Sequence, residues 1–379
     1  MNGQHHLAIA LCLVGACARD EPAPSAPSPP AAEVPSRVNP DREPPVAPPA
    51  PGPPMPRPAR RRLAAGAAQN DACESCHVDE AEEWRASRHR QSDTNAAYRE
   101  AFAIERATFC RACHTPEADP EKAPPRAVSE MGVSCVTCHV TEEGAVLAAP
   151  GADTSLVADA PHRIVRSADF AHTGGCSGCH EFRFPGISGD EDAAFMQTTV
   201  REHRRSAAAR RGCADCHMPL VGGRRSHAFG ETRDPAWMRD KLAVTAERAG
   251  GDLLRVTLAQ PDPGHGYPTG DLFRRLEIGG ELFAEDGRSL GREVRHLARR
   301  FEIAPGKWGR DLTRDDRVLG EPLVLEIPIR ASSPVASATL RFWVSYQRVA
   351  TVGVGRDPAE ARIESEILLH SGDLPWDMD

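Results

Sequence analysis

The sequence predicts a multidomain chain with a mainly helical and loop-rich part over residues 71–241 and an antiparallel β-sandwich over residues 242–379. Ten of the 12 cysteines occur in five C-x-x-C-H motifs, all of them in the first part. The second part has no cysteine and consists of short alternating apolar runs divided by Gly, Pro and Asp, which is typical of antiparallel strands. The length of 379 residues also favours two domains, since one domain usually takes about 100–200 residues.

Residues 1–16 have the features of an export signal. Leu7 to Ala16 is an apolar run, too short to span a bilayer, which takes about 20 residues. The sequence Val14-Gly15-Ala16-Cys17 resembles a bacterial lipoprotein cleavage box, which predicts that Cys17 carries the lipid. An ordinary secretory signal with a coincidental cysteine is the alternative. Lipidation would account for the one cysteine outside the motifs that remains after residues 1–16 are removed.

Residues 17–70 are predicted to be a disordered Pro/Ala-rich tether. The stretch 22–58 holds 16 of the 34 prolines and has no apolar periodicity, so it favours extended polyproline conformations and cannot form a core. A tether of this kind would let a lipid-anchored body move between partners, although a plain spacer explains the composition equally well.

Charge and aromatic content narrow the function classes. The net charge is −8, so the chain offers no basic field for nucleic acid, which we exclude as a partner. Aromatic residues make up only 5% of the chain, which is few for two ordinary hydrophobic cores. The composition therefore suggests that something other than side chains fills part of the interior.

The five C-x-x-C-H motifs supply that component. Two thiols three positions apart each form a thioether to a porphyrin vinyl group, and the next histidine binds the iron, so the motif is typical of covalent c-type haem. Zinc ribbons need two cysteine pairs for each metal, and a disulfide framework would not explain the recurring histidine. We therefore predict five c-type haems, attached at Cys73, Cys76 and His77; Cys110, Cys113 and His114; Cys135, Cys138 and His139; Cys176, Cys179 and His180; and Cys213, Cys216 and His217.

A second axial ligand is expected for each low-spin iron. Outside the motifs and the signal region the chain has eight histidines, and their positions relative to the motifs make five of them the candidates. His172, four residues before Cys176, competes with His265 for the fifth place. The predicted distal ligands are His89, His162, His203, His227 and His265.

The region from Ala72 to about Lys241 resembles the multihaem cytochrome c group that includes the tetrahaem electron acceptor of hydroxylamine oxidoreductase. The resemblance implies a mostly helical domain of stacked haems, with His89 and His227 as distal ligands. This chain has five motifs and an added C-terminal region, so the pairing of ligands and any open haem do not carry over from that group. The resembling residues are the first motif with Trp84, Ser87 and His89 behind it, Gly132-Val133-Ser134, the segment Cys213 to Pro219, and Ser226-His227-Ala228-Phe229.

The C-terminal part contributes one candidate loop. Gly264-His265-Gly266-Tyr267-Pro268-Thr269-Gly270 lies between two predicted strands and resembles a loop of sandwich domains appended to multihaem cytochromes. Small neighbours on both sides of His265 would let the backbone approach a flat ligand, while a structural turn with a solvated histidine is the alternative. The predicted strand runs are Leu253–Leu258, Phe273–Phe283, Arg300–Ile303, Leu323–Ile329 and Ala338–Val349.

These features predict a lipid-anchored pentahaem cytochrome c that transfers electrons between redox proteins on the periplasmic side of a bacterial membrane. The alternative is an oxidoreductase that acts on a small nitrogen or sulfur compound at a five-coordinate haem. The fifth distal ligand separates the two, because a second histidine on every iron favours electron transfer and an open iron favours catalysis.

Overall fold

The computed structural model describes residues 55–56, 65–104, 106–150, 161–230, 234–303, 310–333, 337–350 and 361–377. The predicted signal, the lipidation site at Cys17 and most of the tether lie outside these residues. No helix among the described residues is both long enough and apolar enough to cross a bilayer. Residues 51–379 cluster as one compact unit.

The N-terminal part of this unit is built from short helices joined by loops. Four of the C-x-x-C-H motifs lie in full on short helices, and in the first motif the cysteines lie in the last turn of a helix and His77 caps its C-terminus. Trp84 donates from its indole nitrogen to the Val133 carbonyl (2.8 Å) and packs with Met131 and Val136 in a small apolar cluster. The helices are α1 (Gly66–Cys76), α2 (Val78–Ala86), α3 (Ala96–Ile104), α4 (Phe109–His114), α5 (Arg126–Met131), α6 (Cys135–His139), α7 (Gly175–His180), α8 (Thr199–Arg205), α9 (Cys213–His217) and α10 (Pro235–Asp240), with a π-helical turn at Phe170–Gly174 and a 3-10 turn at Asp192–Ala194.

Three two-stranded ribbons lie among these helices. Their strands are β1 (Val146–Ala148), β2 (Ile164–Arg166), β3 (Glu181–Arg183), β4 (Phe195–Thr198), β5 (Leu220–Val221) and β6 (Arg224–Arg225). β1 pairs with β2 in parallel, whereas the pairs β3 with β4 and β5 with β6 are antiparallel.

The C-terminal part is rich in antiparallel strands. Its strands are β7 (Ala243–Arg248), β8 (Leu253–Ala259), β9 (Arg274–Phe283), β10 (Ser289–Leu297), β11 (Arg299–Ile303), β12 (Arg310–Asp315), β13 (Leu323–Pro328), β14 (Ser337–Val349) and β15 (Ile363–Asp377). A four-stranded sheet has the order β10-β9-β14-β15, a three-stranded sheet has the order β13-β8-β7, and β11 pairs with β12.

One apolar cluster is shared by the two larger sheets. Alternate residues of β8, among them Leu254 and Leu258, are buried together with Ile278 of β9, Leu340 of β14 and Trp376 of β15. The alternation follows from the two-residue period of a strand, which directs every second side chain to the same face. The predicted change from helices to antiparallel strands along the chain is therefore confirmed.

Candidate functional site

Three of the five motif histidines are oriented by main-chain carbonyl groups. The Nδ1 atom of His114 donates to the Ser92 carbonyl oxygen (2.6 Å), and that of His139 donates to the Leu147 carbonyl oxygen (2.8 Å). His217 makes a longer contact of the same kind (3.3 Å). A proton held at Nδ1 leaves the Nε2 lone pair as the ligand atom, as in the outer shell of metal sites generally.

Four of the five motif histidines face a second histidine at nearly the same separation. If metal–imidazole bonds of about 2 Å lie on both sides of an iron and each ring nitrogen is on the order of 1 Å from its ring centre, the two centres are about 6 Å apart. The observed separations fit an iron held between two imidazoles. They are 6.5 Å for His77 and His162, 6.1 Å for His180 and His89, 6.2 Å for His139 and His227, and 6.0 Å for His217 and His265.

The fifth motif histidine, His114, has a different neighbour. Its ring stacks on Tyr98 with centroids 3.8 Å apart and planes inclined by 6°, which is too close for an iron between them. Among the described residues, no second histidine ring pairs with His114. Tyr98 is buried, and burial, with Asp93 and the two motif thiols nearby, raises the pKa of its phenol, so the hydroxyl is protonated.

Burial favours the neutral form of most of the paired rings. Burial, together with nearby histidines, lowers the pKa of His89 to about 4 and that of His180 to about 3. Burial also lowers the pKa of His139, His217 and His265. Neutral imidazole is the form that binds a metal, so these environments suit axial ligands.

The rings of His203 and His172 pair with each other and not with a motif histidine. The two ring nitrogens of His203 contact the carbonyl oxygens of Gly264 and Arg211, each at 2.9 Å. His172 faces His203 with ring centroids 6.2 Å apart, and neither residue belongs to a C-x-x-C-H motif. His203 therefore fixes the start of the loop that carries His265.

The loop that carries His227 is fixed by a carboxylate of α2. Glu83 accepts the main-chain N–H of His227 (2.6 Å) and two hydrogen bonds from Arg224 (2.9 and 3.0 Å). The Arg224 guanidinium is the main cause that lowers the pKa of Glu83 to about 2. The Nδ1 atom of His227 lies 3.0 Å from the Arg225 carbonyl oxygen, which leaves Nε2 directed elsewhere. Sequence reasoning did not identify Glu83, because it lies 144 positions from its partner.

The loop that carries His265 is fixed by a carboxylate of α8. Glu202 accepts the main-chain N–H of Gly266 (3.0 Å), the hydroxyl of Thr269 (2.8 Å) and a guanidinium N–H of Arg317 (2.8 Å). Burial alone would raise the pKa of Glu202, but Arg317 and the hydrogen bonds lower it to about 2. The side chains of Arg317 and Glu202 are only 4% and 9% exposed, so this ion pair is buried.

The cysteines and acidic residues do not form an additional metal centre within the described ranges. No three or more His, Cys, Asp or Glu side chains converge there in an arrangement that could hold a metal ion. Two opposed histidines with a neighbouring C-x-x-C pair suit haem iron, because the porphyrin supplies the other four nitrogen ligands. Cys76 and Cys216 are solvent-exposed, and the other eight motif cysteines are partly buried.

Comparisons with known proteins agree with this geometry. Residues 72–140, which contain the first three motifs, match the protein family described as cytochrome c554 and c-prime. The fold is similar to that of a penta-heme cytochrome c552 from Thermochromatium tepidum, with a TM-score of 0.61 and 18% sequence identity over 83% of this chain and 99% of that one. No curated protein matches the sequence. The predicted resemblance to multihaem c-type cytochromes is thereby confirmed, and the specific relation to the tetrahaem acceptor group stays a prediction.

Proposed function

We propose that this protein is a pentahaem electron-transfer cytochrome in which four of the five irons have two histidine ligands. The observation that carries the proposal is the separation of 6.0–6.5 Å between four motif histidines and their partners. An iron closed on both sides by imidazole has no position for a substrate, so its chemistry is limited to gaining and losing an electron. Five irons within residues 71–241 would give a chain of short electron-transfer steps.

The ligand set follows from the ring contacts. His162, His89, His227 and His265 would bind opposite His77, His180, His139 and His217 respectively. His203, which the sequence predicts as a ligand, is left out of the proposed set because both of its ring nitrogens contact carbonyl oxygens. The haem supplies an iron that cycles between the ferric and ferrous states. Main-chain carbonyl groups would orient several of the imidazoles, and burial favours the neutral form of most of them.

Catalysis at one haem is the second candidate function. The contact between His114 and Tyr98 favours it, because the motif histidine that lacks a histidine partner would leave its iron with an open position. A small nitrogen or sulfur compound is the substrate class that suits such an iron. In that case the other four haems would deliver or remove electrons.

Electron paramagnetic resonance at low temperature tests both candidates on the ferric protein. We expect four low-spin signals from irons with two histidines and one high-spin signal from the His114 haem. Five low-spin signals would rule out the catalytic candidate, and two or more high-spin signals would contradict the proposed ligand set. Intact mass after export with haem-maturation machinery gives the haem count, and fewer than five on a homogeneous product would contradict the pentahaem assignment.

The arrangement of domains and the anchoring of the chain complete the proposal. The helical part over residues 71–241 would hold the haems, and the sheets of residues 242–379 would form a sandwich that supplies His265. Lipid on Cys17 would provide the two or more acyl chains that stable membrane attachment requires. The variant Cys17→Ser should then appear in the soluble periplasmic fraction, and a wild-type protein already soluble there would contradict the anchor.

A further inference from the structure

The loop between β8 and β9 is tied to the helical part as well as to its own sheets. Three of its residues make polar contacts with α8. The Gly264 carbonyl contacts His203 (2.9 Å), and Gly266 and Thr269 both donate to Glu202. A single carboxylate on a helix therefore holds the backbone directly after His265 and the hydroxyl four residues beyond it.

The opposite side of this loop is held by the C-terminal part. Arg317 donates to the Pro268 carbonyl oxygen (3.1 Å), and Gln260 donates from its side chain to the His265 carbonyl oxygen (2.9 Å). Tyr267 exchanges two main-chain hydrogen bonds with Val318 (2.8 and 3.1 Å). The backbone around His265, and with it the ring, is therefore positioned by both the helical part and the C-terminal part. The two parts meet at Glu202.

Because Glu202 is buried, its hydrogen bonds and ion pair hold the loop of His265 in one position. A buried carboxylate is tolerated where its charge is paired and its oxygens accept hydrogen bonds. Glu202 meets both conditions through Arg317, Thr198, Gly266 and Thr269. Any displacement of the loop would take hydrogen-bond donors away from a charge that water cannot reach. The loop and the carboxylate therefore stabilise one another in a single position.

We propose that Glu202, paired with Arg317, is a positioning residue that holds His265 in the place of an axial ligand to the haem of the fifth motif. This inference rests on the proposed assignment of His265 opposite His217, whose rings lie 6.0 Å apart with planes inclined by only 11°. Glu202 binds no iron itself. It makes ligation by the β-rich part dependent on α8, so that haem coordination and docking of the two parts are coupled.

The test uses the full haem-loaded protein and the variant Glu202→Gln. Glutamine keeps the shape but cannot accept from Gly266, Thr269 and Arg317 as a charged carboxylate does. We expect one of the ferric haems to change from low spin to high spin in a substantial fraction of molecules. Added imidazole should restore the low-spin signal, because it would bind the iron position that His265 leaves. A role in stability alone would move neither the spin state nor its response to imidazole.

A matched control lies on β3, which contacts the same helix. Glu181 is also largely buried, with 14% of its side chain exposed, and accepts the main-chain N–H of Arg201 in α8 (2.6 Å), but among the described residues no hydrogen bond or ion pair joins it to the loop of His265. Glu181→Gln should therefore leave the spin count unchanged. Equal spectra for Glu202→Gln and Glu181→Gln would overturn the proposal.

A milder variant keeps the test decisive if Glu202→Gln does not fold. Thr269→Val removes one hydroxyl contact with Glu202 and keeps the ion pair with Arg317. We expect a smaller high-spin fraction that imidazole again reverses, and an unchanged spectrum in a folded Thr269→Val protein would count against the proposal. The variant His265→Ala separates the two levels of inference. If it leaves all spin states unchanged, the ligand assignment fails, whereas a change in His265→Ala without one in Glu202→Gln overturns only the role of Glu202.

Discussion

The loops that carry His227 and His265 are each fixed by a glutamate paired with an arginine, and the two pairs differ in how deeply they are buried. In each, a glutamate on a helix accepts a main-chain N–H at or beside the histidine and is paired with an arginine. Around His227 the side chains of Arg224 and Glu83 are 30% and 22% exposed. Around His265 those of Arg317 and Glu202 are 4% and 9% exposed. The first loop belongs to the helical part and the second to the β-rich part.

This difference in burial determines how much each ion pair contributes to the stability of its loop. An exposed pair gains little, because water and salt already screen both charges. A buried pair has lost its hydration, so removal of one partner leaves a charge that nothing compensates. His227, which belongs to the helical part, can thus be held by a weak contact, whereas His265, which comes from the β-rich part, depends on a strong one.

Removal of the buried guanidinium should have the largest effect. Arg317→Met leaves Glu202 and Asp315 without their shared partner, and breaking a buried pair in this way costs about 3–5 kcal/mol of unfolding free energy. Denaturant unfolding followed by far-ultraviolet circular dichroism measures the change. The control Arg341→Met removes an exposed pair with Asp373 and should leave the transition in place. Similar losses in the two variants would show that depth is not the deciding factor.

Removal of His265, the proposed second ligand of the fifth-motif haem, should change the spin state of one haem. The loss of stability should be smaller than in Arg317→Met. His265→Ala is expected to convert one ferric haem from low spin to high spin and to shift its reduction potential, since the axial ligand is a principal determinant of both. His172→Ala should leave the spin count unchanged, because the ring of His172 faces His203 and not a motif histidine. An unaltered spectrum for His265→Ala would mean that the loop has a structural role only.

The sequence was most informative where chemistry is local. The five C-x-x-C-H motifs predict the multihaem character, and the cysteines of each lie on a helix. The Gly-rich surroundings of His265 marked a loop that does reach a motif histidine. Predicted strand runs correspond to β8, β9, β11, β13 and β14, whereas β7, β10, β12 and β15 were not singled out. β10 shows why, since its run Ser289–Leu297 contains several charged residues that partner strands and cross-strand contacts accommodate.

Contacts between residues that are separated in the sequence account for the site features that sequence patterns do not predict. His203 lies on a helix close to a motif, as a ligand would, yet its ring nitrogens reach carbonyl groups 8 and 61 positions away. The partners of Glu83 and Glu202 lie 141 and 115 positions from them. No periodicity or motif spacing encodes contacts of this kind, because they arise only when the chain has folded.

A buried carboxylate in the four-stranded sheet offers a way to separate stability from haem coordination. Glu277 of β9 accepts from Trp343 (2.9 Å) and Gln347 (3.1 Å) and contacts His296 (3.0 Å), and none of these residues belongs to the proposed haem ligands. The hydrogen bond from His296 is the main cause that lowers the pKa of Glu277 to about 2 from an ordinary value of 4.5. The folded pKa lies below the unfolded one, so this contribution to stability is complete above pH 4.5 and is lost as the pH falls towards 2.

Glu277→Gln should therefore lower the unfolding free energy at neutral pH by about 1–3 kcal/mol, the scale of hydrogen bonds to a charged group. It should also make stability less dependent on pH between 4.5 and 2. Unfolding curves at a series of pH values measure both effects, and paramagnetic resonance should show the wild-type spin count. A change of spin state in this variant would mean that the four-stranded sheet is coupled to the haems by a route other than Glu202.

The smallest effect is expected at the exposed pair. Arg224→Met leaves the hydrogen bond from the His227 N–H to Glu83 intact, so the spin count should not change. Any loss of stability should be visible only at low ionic strength and should disappear in concentrated salt, because the wild-type pair is itself screened there. Arg317→Met should show no such salt dependence, since its pair is buried. If Arg224→Met instead produced a high-spin haem that salt did not affect, the exposed arginine would be as necessary to its histidine as the buried one. Burial would then not be what distinguishes the two loops.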